Sequence, residues 1–394
     1  MKHARIAALT ALLAFGLPTV SRAIDFGAEL KNVAGYQHAV DGDWYTEHRA
    51  SVWITAPIGS GDGNSFAFEG SFNAEKPFLS DDFSYYLNVD LFRFTLEPVK
   101  NDSSQINVDL GRFPVTDLTG IIFNQAIDGA EFRGSFEFGN MSIIAGYTGF
   151  LNARGTAAVM SADDYADLST DDVYALGAKR AVAKATFHFP EFFGPMDFFV
   201  EGLGQFDLRD MVDTAGETVH TAYGTVMVSG PVTDTIFLTA TGTFQTGIKE
   251  TTQTYSENAA AASVRVDVFP LPNNRFFGSL LYTTAEGSVL TTFLPITEQT
   301  SGVMYGSGYT NLIKASAGWY YNPFKYLNFD VIGNIFFRSG EVSLQDGLYS
   351  ATELNAGATF RATSDLNIRF SGTVLIPNEM DTQYQAELTA IFGL

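Results

Sequence analysis

The chain has 394 residues, no cysteine, 35 Phe and 37 Gly, with 17% charged residues against the roughly 25% usual in soluble domains. That composition speaks against a disordered chain, a disulfide scaffold and a thiolate metal protein. The 44 acidic against 23 basic side chains leave a net charge of −21, which speaks against a nucleic-acid partner.

The first 23 residues have the make-up of an export signal. Lys2, His3 and Arg5 give a basic start, 6–20 is apolar, and Ser21-Arg22-Ala23 puts small residues at the −3 and −1 positions of a cleavage site, so the mature chain is expected to begin at Ile24. Beyond it no apolar run approaches the roughly 18 residues that cross a bilayer as a helix. Residues 24–394 are expected to form one domain.

From Ile24 onward the pattern is apolar–polar alternation over about ten residues, the signature of a sheet with lipid on one face and water on the other. About eighteen such runs occur, each near the roughly 9 to 11 residues a tilted spanning strand needs. They begin near Ile24, Tyr45, Ser65, Tyr85, Gln105, Ala130, Met141, Leu176, Asp197, Val219, Asp234, Ala261, Arg275, Thr310, Leu327, Ala351, Leu366 and Gln383. Sixteen is the alternative count, because the first two runs and the turn at 57–64 are the least regular. The alternation is clear at Phe329, Val331, Gly333, Ile335 and Phe337 against Asn328, Asp330, Asn334 and Arg338. It is equally clear at Ile236, Leu238, Ala240, Gly242 and Phe244 against Thr239, Thr241, Thr243 and Gln245. Linkers after even-numbered runs are short, whereas those after odd-numbered runs reach 151–175 and 287–309. Tight turns on one side and long loops on the other predict an all-β, antiparallel, up-and-down transmembrane barrel with both termini on the periplasmic side. A soluble sandwich would carry a polar outer face, and a β-helix would show a fixed repeat period; neither is present. Trp53, Phe136, Phe138, Phe187, Phe189, Trp319, Tyr321 and Phe392 fall near strand ends beside short turns, where an interfacial girdle is expected.

These features, with the final strand over 384–394, resemble the outer-membrane porin class of diderm bacteria; no subfamily motif is present. The resemblance implies an outer-membrane location, the bilayer as surroundings and a final strand read by the barrel-assembly machinery. Phe392 has the right parity for that signal but is followed by Gly393-Leu394, a variant ending. Monomer and homotrimer are both compatible with the sequence.

The polar parity places Glu47, Arg49, Glu69, Asp90, Asp109, Glu131, Arg133, Arg180, Lys184, Glu201, Arg265, Asp267, Lys314, Asp330, Arg361 and Arg369 along the lumen, with both signs present. A barrel of this strand count is too wide for side chains to fill, so a polar passage is expected. For any one of these residues a cross-strand ion pair is the more ordinary role. The segment 111–129, read as the loop after the fifth run, contains Ile121, Ile122 and Phe123, which water would not stabilise, together with Asp128. By resemblance it is a candidate constriction loop bent into the barrel, with a lid across the mouth as the competing placement. Arg112 and Arg93 share parity with apolar neighbours and are expected either to snorkel or to be turned inward by a bulge, at Gly111 in the case of Arg112.

Chemistry-bearing clusters are thin. Asp163, Asp164, Asp167, Asp171 and Asp172 form an acidic loop that usually only solvates, though a divalent-ion site is the sharper reading. His48, at the lipid-facing place of a phospholipase base, lacks a spaced serine, and His38 with Asp41 and Asp43 lacks a second carboxylate pair. Gly59 to Gly63 lacks the Gly-Lys-Ser/Thr of a phosphate loop. The sequence therefore predicts a passive channel for small polar solutes and ions, with no enzymatic activity, cofactor or metal. The alternatives are a surface adhesin anchored by a barrel and a transporter of hydrophobic molecules, which would show an apolar luminal stripe and a lateral gap.

Overall fold

The computed structural model describes residues 24–394 except 40–41, 60–62, 102, 169–171, 210–217, 251–253, 288–289 and 341–347. The segment read as an export signal lies outside the described residues. Eighteen strands follow one another: β1 Asp25–His38, β2 Gly42–Pro57, β3 Ser65–Lys76, β4 Ser84–Lys100, β5 Ser104–Thr116, β6 Asn124–Phe136, β7 Gly139–Tyr147, β8 Arg180–Phe193, β9 Met196–Asp207, β10 Thr218–Thr233, β11 Ile236–Glu250, β12 Thr254–Leu271, β13 Asn274–Thr283, β14 Ile313–Phe324, β15 Leu327–Phe337, β16 Tyr349–Arg361, β17 Leu366–Pro377 and β18 Gln383–Gly393. Each pairs antiparallel with its sequence neighbours, and β1 pairs with β18 from Glu29↔Gly393 to His38↔Tyr384, which closes the barrel. Closure gives every strand a partner on both sides, the condition for crossing hydrocarbon with strands. The expected starts of β6, β8 and β12 are displaced most: β6 and β12 begin earlier than the apolar pattern does, and β8 begins only after 176–179.

The alternation resolves into two faces. Phe244, Phe370, Ile335 and Leu388 are exposed on the outside, whereas Gln245, Thr373, Asn334 and Thr389 are buried within. This inverts the soluble arrangement, as a lipid environment requires. Aromatics ring the short-turn end in stacked groups, Phe136 on Phe138, Trp319 on Tyr321, and Phe189 with Phe192 and Phe198. Trp53 is an exception to the expected girdle. It shares inward parity with Tyr45 and Arg49, and its ring lies over Gly27, where a Cβ would fall 2.2 Å from it.

Strand β4 contains a register shift between its partners Glu69 and Gly70, which leaves Asp90 as an extra residue. A bulge exchanges the faces of everything beyond it. Tyr85 and Leu87 face outward before the bulge, and Phe92, Phe94 and Leu96 face outward after it. Arg93 therefore points inward with Thr95, whose hydroxyl bonds Asp109 at 2.5 Å.

Arg112 keeps its outward parity, so Gly111 does not turn it in. Gly111 has φ 115°, and a Cβ there would fall 2.1 Å from the Phe92 carbonyl oxygen. Gly111→Ala is expected to destabilise the barrel by about 2 kcal/mol or more, from left-handed strain plus a backbone clash. Urea unfolding of the refolded variant, followed by tryptophan fluorescence, checks this; an unchanged midpoint would refute it.

The segment read as a loop over 111–129 is mostly strand. β5 runs to Thr116, β6 begins at Asn124, and only 117–123 connects them. Gly111 and Pro114 look like breakers, but Pro114 stands where β5 has no β4 partner, an edge position at which a missing N–H is tolerated. Asp128, expected in the loop, is a wall residue of β6 paired with Arg112.

Candidate permeation site

Described residues of three connections, 117–123, 148–179 and 284–312, pack against the inner wall at one end of the barrel. In the first, Asp117 organises the turn by accepting from the backbone N–H groups of Ile122 and Phe123 at 3.0 and 2.9 Å. Leu118 N–H donates to Glu201 of β9 at 3.0 Å. The Ile122 carbonyl accepts from Ile296 and Thr297 of the third connection. Thr119 and Ile121 line a recess with Thr241, Ser263 and Arg265 on the opposite wall, which places this segment inside the barrel. Ile122 and Phe123 are fully buried against Phe113, Ile127, Val182, Leu203, Phe293 and Ile296. The inner face of β5 to β10 is thus apolar where the loops cover it.

The third connection is held by Glu353 of β16. Its carboxylate accepts from the backbone N–H groups of Val303, Met304 and Tyr305 at 3.1, 2.8 and 3.0 Å, and from Asn334 and Asn355 at 3.2 and 2.9 Å. Lys314 Nζ donates to the Ser301 carbonyl at 2.5 Å. Tyr305 stacks on Phe336 with centroids 4.0 Å apart. The second connection carries the helix Ala162–Leu168, whose Asp164 meets the Arg180 guanidinium at 2.6 Å and Arg209 at 2.8 Å. Asp164 is therefore engaged within the protein. Among the described residues no cluster of three or more His, Asp or Glu is placed to hold a metal ion.

Below the loops, ion pairs run along the wall. Arg49 joins Glu69 and Asp90 at 3.2 and 3.0 Å; Arg133 joins Asp109 and lies 3.6 Å from Glu131; Lys184 lies 3.3 Å from Glu201. Arg265 and Arg275 both meet Asp267 at 2.8 Å, and Arg369 reaches Asp330 at 2.6 Å. That last pair spans two strands because Gly357 lies between them; a Cβ there would fall 2.3 Å from the Arg369 guanidinium. In three of these arginine pairs the two members are unequally wetted, whereas Arg49 and Glu69 are wetted about alike. Arg133 is 44% exposed over a fully buried Asp109, Arg275 is 42% exposed over Asp267 at 8%, and Arg369 is 38% exposed over Asp330 at 12%. Water in the bore meets guanidinium faces although the chain is acidic overall.

A recess of about 370 Å³ beneath 300–303 is lined by Arg265, Lys314, Ser316, Tyr320, Asn334 and Asn355. Arg265 lies 4.0 Å over the Phe277 ring, which stacks with Tyr320. Tyr309, on the loop side of the recess, has its phenol pushed above the ordinary value by burial.

The structure thus brings Arg49, Glu69 and Asp90 together, and likewise Asp109, Glu131 and Arg133. Arg180, Asp109 and Glu201 are buried rather than bathed in the bore. Glu47 lies exposed on the inner face, and Arg361 at the short-turn end of β16. Parity reasoning missed Glu353, Arg275 and Tyr320. Glu353 alternates with Asn355 around the outward Leu354, a signal that was present but not distinctive.

No family model matches the sequence, and none of the curated proteins does. Among solved structures, the fold is similar to Acinetobacter baumannii OccAB4 at 10% identity, covering 96% of this chain and 99% of that one with a TM-score of 0.62. Pseudomonas aeruginosa OpdK, solved with vanillate, is 10% identical over 94% of this chain and 98% of its own, with a TM-score of 0.60. Pseudomonas aeruginosa OccK2, solved in complex with glucuronate, is 10% identical with the same coverage and a TM-score of 0.61. At such identity the likeness establishes the fold alone, a closed antiparallel barrel like that of these outer-membrane proteins.

Proposed function

We propose that the protein is a passive outer-membrane channel for small polar solutes, with its long loops facing outward, both termini in the periplasm and its bore narrowed by 117–123 and 284–312. Small organic anions are its favoured solutes. The observation that carries this reading is the unequal wetting of three ion pairs, Arg133–Asp109, Arg275–Asp267 and Arg369–Asp330: exposed arginines over buried carboxylates present a cationic surface to a permeating molecule. A guanidinium binds carboxylate through paired hydrogen bonds, so a carboxylated solute is retained longer than a neutral one of equal size. The vanillate and glucuronate of the OpdK and OccK2 structures fit this class.

The test is interruption of single-channel current by glucuronate and by neutral glucose at equal concentration. Glucuronate is expected to interrupt the current and glucose to do so far less; equal effects would overturn the anion preference. Replacing both Arg265 and Arg275 by Gln leaves Asp267 without its two cations, and glucuronate interruption is then expected to weaken about tenfold, the effect of about 1.4 kcal/mol. An unchanged response would remove these residues from the site.

A further inference from the structure

Among the described residues, the seam at which both neighbouring strands run on longest without pairing to each other is that between β4 and β5. β4 and β5 pair only from Phe92↔Arg112 to Lys100↔Gln105. Beyond Arg112, β5 continues to Thr116 with β6 alone, and β4 from Leu91 back to Ser84 pairs with β3 alone. The two strands part in a fork, bent open by the bulge at Asp90. The β4 stretch 92–100, in which seven residues pair with β5 around a register shift between Leu96 and Val99, climbs about 20 Å at about 3.4 Å per residue and a tilt of about 45°, so the fork opens near the outer limit of the hydrocarbon band.

Residues 148–155 and 172–179 of the β7–β8 connection fill the fork, and among the described residues their bonds to the unpaired part of β4 are few. Leu87 N–H donates to the Val173 carbonyl at 3.0 Å, Asn152 donates to the Leu87 carbonyl at 2.6 Å, and Arg154 donates to the Tyr85 carbonyl at 3.4 Å. At the vertex, Arg112 uses all five of its N–H donors: two to Asp128 at 2.8 and 2.7 Å, and one each to the carbonyls of Val89 and Phe150 and to the Tyr174 hydroxyl at 3.0, 2.8 and 3.3 Å. One guanidinium thus joins β4, β5, β6 and both ends of the inserted loop. The lips of the fork are apolar on the two faces. Leu87, Phe150 and Leu176 are exposed outside, while Leu91, Phe113 and Val115 lead into the apolar cluster inside.

We propose that this fork is a lateral gate, closed by residues 148–155 and 172–179 and fastened by Arg112 and Asp128, through which molecules with an apolar body and a charged head pass between the bore and the outer leaflet. It supplements the axial passage. Opening it breaks a handful of bonds, where opening any other seam breaks a ladder, and the surface uncovered on both sides is apolar.

The chain has no cysteine, so one introduced thiol reports without interference. Val115→Cys, on the inner lip, is reconstituted into vesicles containing a maleimide borne on a phospholipid acyl chain, which cannot reach the bore through water. Slow labelling is expected with Arg112 intact, and labelling at least tenfold faster in combination with Arg112→Ala, while a water-soluble maleimide labels both alike. Should Arg112→Ala fail to form a barrel, Asp128→Asn loosens the same fastening and carries the same expectation. Absence of labelling from the lipid side in folded variants would overturn the gate and make the loop a static filler. Acceleration of the water-soluble reagent alone would overturn it too, by showing an opening toward the bore. The axial channel reading survives either result, because single-channel current is measured separately on the same vesicles.

Discussion

Glu353→Ala is expected to at least double the single-channel conductance and to make the open current noisy. Glu353 is fully buried, and its carboxylate is the acceptor for three consecutive backbone N–H groups at 303–305 as well as for two asparagines. A hydrogen bond to a charged group contributes about 1.5 to 3 kcal/mol net, and unpaired buried donors carry a further desolvation penalty. Alanine removes several such bonds at once, more than the local contacts of Leu312 and Tyr305 with Phe336 can offset. The wall itself is unchanged, since β16 keeps its ladders with β15 and β17. The loop over 300–309 should therefore leave the inner wall while the barrel persists. Glu353→Gln preserves part of the acceptor geometry and is expected to fall between wild type and Ala. A conductance equal to wild type in a folded Glu353→Ala barrel would show that this connection does not narrow the bore.

Arg180→Met is expected to reduce unfolding stability by about 3 to 5 kcal/mol, as loss of one partner from a buried ion pair does. The Arg180 side chain is fully buried, 2.6 Å from Asp164 and 3.3 Å from Asp207, and it also donates to Gln205 at 2.9 Å and to the Val219 carbonyl at 3.3 Å. Methionine fills the volume but leaves two buried carboxylates sharing Arg209. Chemical unfolding in lipid vesicles, read by tryptophan fluorescence, measures the loss. A midpoint within error of wild type would show that Arg209 suffices for both acids.

Both predictions concern residues whose importance lies in partners distant along the chain, and that is where the sequence was least legible. Strand number and the outer face follow from local alternation, so Phe329 to Phe337 and Ile236 to Phe244 could be placed without knowing any neighbour. The slip at Asp90 is also written locally, as Tyr85, Leu87 and Val89 giving way to Phe92, Phe94 and Leu96, and of the two placements open to Arg93 it selects the inward one. Inner apolar residues defeat the method for another reason. Ile143 and Ile144 are both apolar, one exposed to lipid and the other buried under a loop, and alternation assigns a polar inner face only where nothing folds in to cover it. The apolar triplet Ile121 to Phe123 did signal a segment unsuited to water. Glu353 gave no such sign, because its partners are main-chain amides some fifty positions earlier. Aromatic residues near strand ends were legible as a girdle except Trp53, whose inward turn depends on the space above Gly27 in the next strand.

The most direct test is the current through a planar lipid bilayer after addition of the purified, refolded protein. The account predicts discrete steps that scale linearly with voltage, each the insertion of one water-filled barrel. A bilayer that stays silent, with the protein inserted and its barrel demonstrably intact, would contradict it.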